Sequence, residues 1–359
     1  MKRVLLVYLY CNLGGVTSVW KQRMPALRRE NWSVDAIFGA DYGGSADLRA
    51  SGVGEVTIAG REMAPVVARA IRSRTYDVVT LVDTPELIRS VRASFNGKLV
   101  YEIHTSIGRV LEKNSAQELG DCDCILVPSA WSKRWVVARF PTLDPDLVQI
   151  CPNIVNDRQF FCEDANRPIG GSPELLWVGK LDPLKNWREA ARIVALATRQ
   201  DVRFIMVTGG LVNQLRAQEL LSEWMADGVA DRSRWVHNLP LRAMADLYRR
   251  AARSGGVLLS TSLSESFCLV AHEALRCGLP VVATPVGACP EIVRHEVSGL
   301  LYEPGEEAVA AGHVERLVGD REFRAHLMQG AASALADYKE SELASKYLGL
   351  LERRERSIT

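Results

Sequence analysis

The chain has 359 residues, of which 47% are hydrophobic and 24% charged, and a formal net charge of +1. That length exceeds the usual single domain and predicts two domains with large cores, while the near-balanced charge excludes a general nucleic-acid binder, which would gather basic residues on one face. Eight cysteines without a Cys-x-x-Cys pair read as reduced thiols of a cytoplasmic protein.

The first expected element is a strand over residues 4–9. Its apolar run is short and passes into Asn12-Leu13-Gly14-Gly15 without a small-residue cleavage site, so a strand is a better reading than a signal peptide. Further short apolar runs at 34–38, 78–82, 99–103 and 125–127 alternate with helical patterns such as 19–29 and 66–74. This alternation predicts βα units around a parallel sheet. Periodicity lapses near 153–172, where the polar stretch Glu163–Pro173 lies, and a second series follows at 175–178, 204–207, 257–259, 281–283 and 300–302. The predicted organisation is an N-terminal doubly wound domain over 1–155, a second over 156–335, and a C-terminal segment, 336–359, whose helix at 340–352 returns to the first domain. No apolar run approaches the length needed to span a bilayer. The basic segment Lys21, Arg23, Arg28 and Arg29 reads first as a solvated helix face, and second as a contact for anionic lipid.

Ligands of open α/β sheets bind beyond the carboxyl ends of the strands, and two such domains place the expected site in a cleft between them. The segment Ser264–Ala274 reads as strand end, polar turn and helix start, with Glu265 and Glu273 eight residues apart. Were all eight steps helical, the carboxylates would stand roughly 12 Å apart along the axis, with unpaired N–H groups between them. Such a bracket suits an anion flanked by hydroxyl-bearing groups, which is the shape of a nucleotide sugar. An ordinary helix with Glu265 as its cap and Glu273 in solvent fits the pattern equally. Upstream, Gly179-Lys180-Leu181 and Lys185 set two ammonium groups in a loop after a strand, where they can neutralise a diphosphate or simply be solvated.

Three ordered motifs carry a family resemblance. Gly179, Lys180, Leu181 and Lys185, then Glu265 and Glu273, then Gly287, Pro290, Glu291, Ile292 and Val293 resemble the C-terminal domain of family 4 glycosyltransferases, retaining enzymes of the GT-B fold. The resemblance implies a nucleoside-diphosphate sugar as co-substrate, with no other cofactor, and an acceptor-binding first domain. It assigns Glu273 to the ribose, Glu265 to hydroxyls of the transferred sugar, Lys180 and Lys185 to the diphosphate, and the backbone N–H groups of Phe267, Cys268, Leu269 and Val270 to the same anion. Lys180 stands where the family often has arginine, so it keeps the charge but loses the bidentate fork.

In the first domain the resemblance rests on Gly14 and Gly15, where backbone can approach a ligand, and on His104, which family members often place near the donor sugar. Gly209 is a further donor-loop candidate, a plain turn being the alternative. Asp83, Glu86 and Glu102 near strand ends are candidates for attracting an amino-bearing acceptor. The triplets Asp121-Cys122-Asp123 and Asp144-Pro145-Asp146 do not make a convincing metal clamp, and no metal site is assigned. The expectation is a metal-independent, retaining hexosyl-type glycosyltransferase acting on an acceptor hydroxyl of a small natural product or glycan precursor. A nucleotide-sugar epimerase of the same fold and a noncatalytic nucleotide-sugar-binding protein remain open at this point.

Overall fold

The computed structural model describes residues 1–163, 171–197, 199 and 201–353. Most of the polar stretch read as the domain boundary lies outside the described residues. The chain divides into two compact units, one built from Met1–Ile154 with the C-terminal residues from Glu340 on, the other from Val155–Lys339.

Among the described residues the first unit holds seven strands: β1 Lys2–Asn12, β2 Trp32–Tyr42, β3 Val56–Ile58, β4 Val78–Val82, β5 Lys98–Glu102, β6 Cys124–Val127 and β7 Val148–Ile150. They pair in parallel in the order β3-β2-β1-β4-β5-β6-β7. Alternation along β1 feeds two separate cores, with Leu5 and Val7 entering one face and Val4 and Leu6 the other, as a sheet covered by helices on both sides requires. The helix Glu340–Glu352 belongs here, because Tyr347, Leu350 and Leu351 fill the same core as Trp20, Met24 and Leu27 of helix Val16–Arg29. Strands β3 and β7, three residues each, lack the apolar run that made the others legible in sequence.

The second unit contains β8 Glu174–Gly179, β9 Arg203–Thr208, β10 Ser233–His237, β11 Val257–Ser260, β12 Val281–Ala283 and β13 Leu300–Leu301. Their parallel order is β10-β9-β8-β11-β12-β13. Leu176 enters one core while Leu175 and Trp177 enter the other. Strand β10 escapes a pattern reading because no residue in it is fully buried. In both sheets the order reverses beside the first strand of the unit, at β1/β4 and β8/β11, and such reversals open a crevice at the carboxyl edge. Among the described residues, no helix is long and apolar enough to cross a membrane.

The reading of a solvated or lipid-facing basic helix is corrected at Arg23 and Lys21, whereas Arg28 and Arg29 are exposed as the solvated face requires. Arg23 is 1% exposed and turned into the unit, where its guanidinium donates to Glu102, and Lys21 is paired with Asp47. The pairing also removes Glu102 from the acceptor candidates, since a fully buried carboxylate already bound to Arg23 and His104 is not open to an amine.

Candidate active site

In the second unit the polar residues of the motifs converge at the β8/β11 reversal. Lys185, in the loop after β8, donates to Glu265 Oε1 of the loop after β11 at 2.5 Å, and Ser262 Oγ donates to the same oxygen at 2.7 Å. Burial works against the Lys185 ammonium, but Glu265 outweighs it and the pKa is raised, so the lysine is charged at neutral pH. Lys180 is exposed. Desolvation lowers its pKa, opposed by Asp182 and reinforced by Lys185.

The two loops are held together by Thr261, a fully buried residue that sequence reasoning passed over. Its hydroxyl is shared between the carbonyls of Lys185 and Asn186 at 2.9 Å each and accepts the Trp177 indole N–H at 3.0 Å, while the Leu263 N–H bonds to the Leu184 carbonyl at 2.7 Å. A run of three hydroxyls at the end of β11, Ser260-Thr261-Ser262, was the available signal. Gly179 is required here because a Cβ would stand 2.8 Å from the Trp177 ring and 3.2 Å from Lys185. Gly287 is required more strictly. It sits at φ +59, and a Cβ there would meet the Glu265 carbonyl at 2.0 Å, so the third motif serves to seat the second.

The helix of the carboxylate segment spans Leu269–Arg276, so Glu265 precedes it by a full turn and the fully helical, roughly 12 Å arrangement does not occur. Nor does Glu265 cap the helix. That position belongs to Cys268, at φ 63 and ψ 47, where a left-handed conformation costs a non-glycine residue of order 1–3 kcal/mol. Phe267 and Cys268 are buried in the core, with Cys268 Sγ 3.3 Å from Cys289 Sγ, and this packing offsets the strain. Leu269 and Val270 supply the first helical N–H groups, the ones that point outward from any helix start. Glu273 is 5% exposed rather than solvated, and Tyr248, another residue the sequence did not single out, donates to its Oε2 at 3.4 Å. Gly209 follows β9 and bonds to the Gly179 carbonyl at 3.3 Å, while Gly210 at φ +85 donates to Asn238 Oδ1 at 3.1 Å, tying the β9 and β10 loops.

In the first unit, Gly14 and Gly15 connect β1 to helix Val16–Arg29. Gly15 adopts φ 52, ψ −128, a glycine conformation, and neither glycine has a neighbour within 4 Å of a would-be Cβ. His104 follows β5 and is held twice: Asp83 Oδ1 accepts its backbone N–H at 3.1 Å, and its Nε2 lies 2.8 Å from Glu102 Oε2. Burial would raise the Glu102 pKa, but Arg23 and then His104 reverse this and bring it to about 2. Asp83 goes the other way, lifted by burial to about 6 against His104 and the N–H groups of Thr105 and His104. Of the Asp-x-Asp triplets, Asp123 is committed to Arg92 at 2.7 Å and to the Leu99 N–H at 2.6 Å, and Asp144 accepts the Asp146 N–H at 2.8 Å. Among the described residues, no three His, Cys, Asp or Glu side chains gather as a metal-ligand set. All eight cysteines are free thiols, with Cys162 alone exposed.

The chain has counterparts among known proteins. Residues 162–334 match the family model described as glycosyl transferases group 1. That segment is similar to the group 1 glycosyl transferases. D-inositol 3-phosphate glycosyltransferase of Acidothermus cellulolyticus is 33% identical over 234 residues, covering 60% of this chain and 51% of the relative. Sucrose synthase of Acidithiobacillus caldus is 29% identical over 206 residues, 53% of this chain and 25% of that one. The chain spans about half the length, 51% and 45%, of the D-inositol 3-phosphate glycosyltransferases of Acidothermus cellulolyticus and Thermobispora bispora. Among solved structures, Anabaena HepE in complex with UDP-glucose superposes with a TM-score of 0.82 at 17% identity, covering 98% of this chain and 99% of that one. Sucrose-phosphate synthase of Thermosynechococcus elongatus gives 0.75 at 20% identity, with 98% of both chains covered. These likenesses identify the fold as GT-B, with its two Rossmann-like units.

Proposed function

We propose that the protein is a retaining, metal-independent glycosyltransferase that moves a hexosyl group from a nucleoside-diphosphate sugar to an acceptor hydroxyl of a small natural product or glycan precursor. The observation that carries the reading is the Lys185–Glu265 pair bridging the β8 and β11 loops, beside the helix that bears buried Glu273. Each group has a task suited to its chemistry. Glu273 accepts hydrogen bonds from the ribose hydroxyls, as carboxyl oxygens can. The first N–H groups of helix Leu269–Arg276 face the diphosphate. Lys180 and Lys185 meet the charge that develops on the leaving diphosphate, so they act in the transition state as well as in binding. Glu265 holds a sugar hydroxyl through Oε2, because Lys185 and Ser262 both occupy Oε1. The family resemblance assigns His104 to the donor sugar and the first unit to the acceptor. Retention follows from the family resemblance, by a same-face displacement, since no carboxylate is assigned as nucleophile.

UDP-glucose is the first donor to test, because HepE was solved with it. Incubation with UDP-glucose, an acceptor panel and EDTA should release UDP and yield glycosides whose anomeric configuration, read by NMR, matches the donor. Glu273→Ala should weaken UDP binding at least about tenfold, whereas Glu265→Ala should lower kcat by about 10–100-fold with smaller effect on UDP binding. Strict dependence on added metal would end the metal-independent mechanism. A donor isomer without a glycoside would indicate an epimerase, and binding without turnover a noncatalytic protein.

A further inference from the structure

No role has been given to Arg23 and Glu102, yet with His104 they form a chain that draws on four elements of the first unit. Glu102 ends β5 and is fully buried. Arg23 Nη1 reaches across from helix Val16–Arg29 to both of its oxygens, at 2.7 and 2.8 Å. The guanidinium is in turn covered by aromatic rings, with Tyr347 of helix Glu340–Glu352 at 4.2 Å and Trp20 at 5.3 Å. Glu102 Oε2 also meets His104 Nε2 at 2.8 Å, and Asp83, after β4, holds the His104 backbone. Desolvating two charges is costly, and apolar side chains of similar volume would make an equally stable or better core. The return on this arrangement is at its partly exposed end, the imidazole.

An ionised carboxylate only accepts hydrogen bonds, so the His104 nitrogen facing it carries a proton. The bond thereby selects one tautomer and one ring plane, as an outer carboxylate does for histidines that do chemistry. We propose that Glu102 is a positioning residue: it sets the tautomer and orientation of His104, while Arg23, covered by Tyr347 of the C-terminal helix, holds Glu102 in place. The inference rests on the glycosyltransferase reading for the role of His104, but the Glu102–His104 bond stands on geometry alone.

The test compares Glu102→Gln, Glu102→Asp and the uncharged double variant Arg23→Gln/Glu102→Gln, which avoids an unpaired buried arginine if the first does not fold. Three quantities are measured on the full chain: the His104 tautomer by 15N-histidine NMR without ligand, UDP affinity by calorimetry, and kcat with UDP-glucose. In the wild type His104 should give the Nε2–H signature. Glu102→Gln and the double variant should mix the tautomers and lower kcat by about 10–100-fold, with UDP affinity within about twofold, and Glu102→Asp should recover part of both losses. An unchanged tautomer in Glu102→Gln overturns the proposal, and so does a kcat loss that follows the fall in thermal stability across the variants. If the wild type neither binds UDP nor consumes UDP-glucose, the glycosyltransferase reading fails instead, and the tautomer measurement alone decides whether Glu102 positions His104.

Discussion

Asp83 shows how one residue's surroundings set its contribution. It occupies φ +47 after β4, accepts the N–H groups of His104 and Thr105, and is lifted by burial to about 6. An unfolded aspartate titrates near ~3.9. The folded state therefore binds the proton more tightly, so the stability tied to protonated Asp83 is fully present below about pH 4 and is lost as pH rises through about 6. Asparagine tolerates the left-handed region and its amide oxygen can accept the same two bonds, but it never ionises. Asp83→Asn should thus exceed the wild type by about 1–3 kcal/mol at pH 7.5, and the gain should vanish near pH 4, as read from urea unfolding at the two pH values. A gain of equal size at both would remove ionisation as its cause. The residue scale is also where sequence reading was least complete. Glu265, Glu273, Lys180 and Lys185 were legible because charge in a loop or at a helix start is conspicuous, whereas Thr261 and Tyr248 act through single hydroxyls whose partners lie 75 and 25 residues away.

At the scale of elements, the site depends on loops that approach one another more closely than side chains permit. Gly287→Ala adds a Cβ at 2.0 Å from the Glu265 carbonyl and does so at φ +59, so the β11 loop must shift and carry Glu265 away from Lys185. A loss of about 2–4 kcal/mol is expected, with turnover of UDP-glucose falling more than UDP affinity. Gly312 is the control: it lies in helix Glu307–Gly319, exposed, with nothing within 4 Å. Gly312→Ala should stabilise by about 0.5–1 kcal/mol, through helix propensity alone. Differential scanning calorimetry of the two variants checks both signs, and a neutral Gly287→Ala would show that the loop is not seated as described. The glycine of the third motif was visible as a pattern, but its reason was not, because a close approach between residues 22 positions apart leaves no periodic trace.

For the whole molecule, the chain's two units have separate cores, and the first is completed by a segment that follows the second in sequence. A fragment spanning Val155–Lys339 should therefore fold and, on the proposed function, bind UDP within about tenfold of the full chain, since Lys185, Glu265 and Glu273 and their supports all lie inside it. Truncation after Lys339 should instead loosen the first unit, because it removes Tyr347, Leu350 and Leu351 from the core around Trp20 and uncovers the buried Arg23. Hydrogen exchange should show β1 and β5 losing protection while β8 and β11 keep theirs, and equal loss in both units would contradict the division. Composition, charge balance and the strand-helix rhythm suffice for the class of fold, since burial of a parallel sheet from both faces writes apolar runs directly into the chain, and the three motifs suffice for the family resemblance. The Lys185–Glu265 pair, the inward turn of Arg23 and the grip of Glu102 on His104 come from the fold alone. They join residues 80, 79 and 2 positions apart, and whether a charge at such a position meets water or a partner depends on which strands end side by side, which no local pattern encodes.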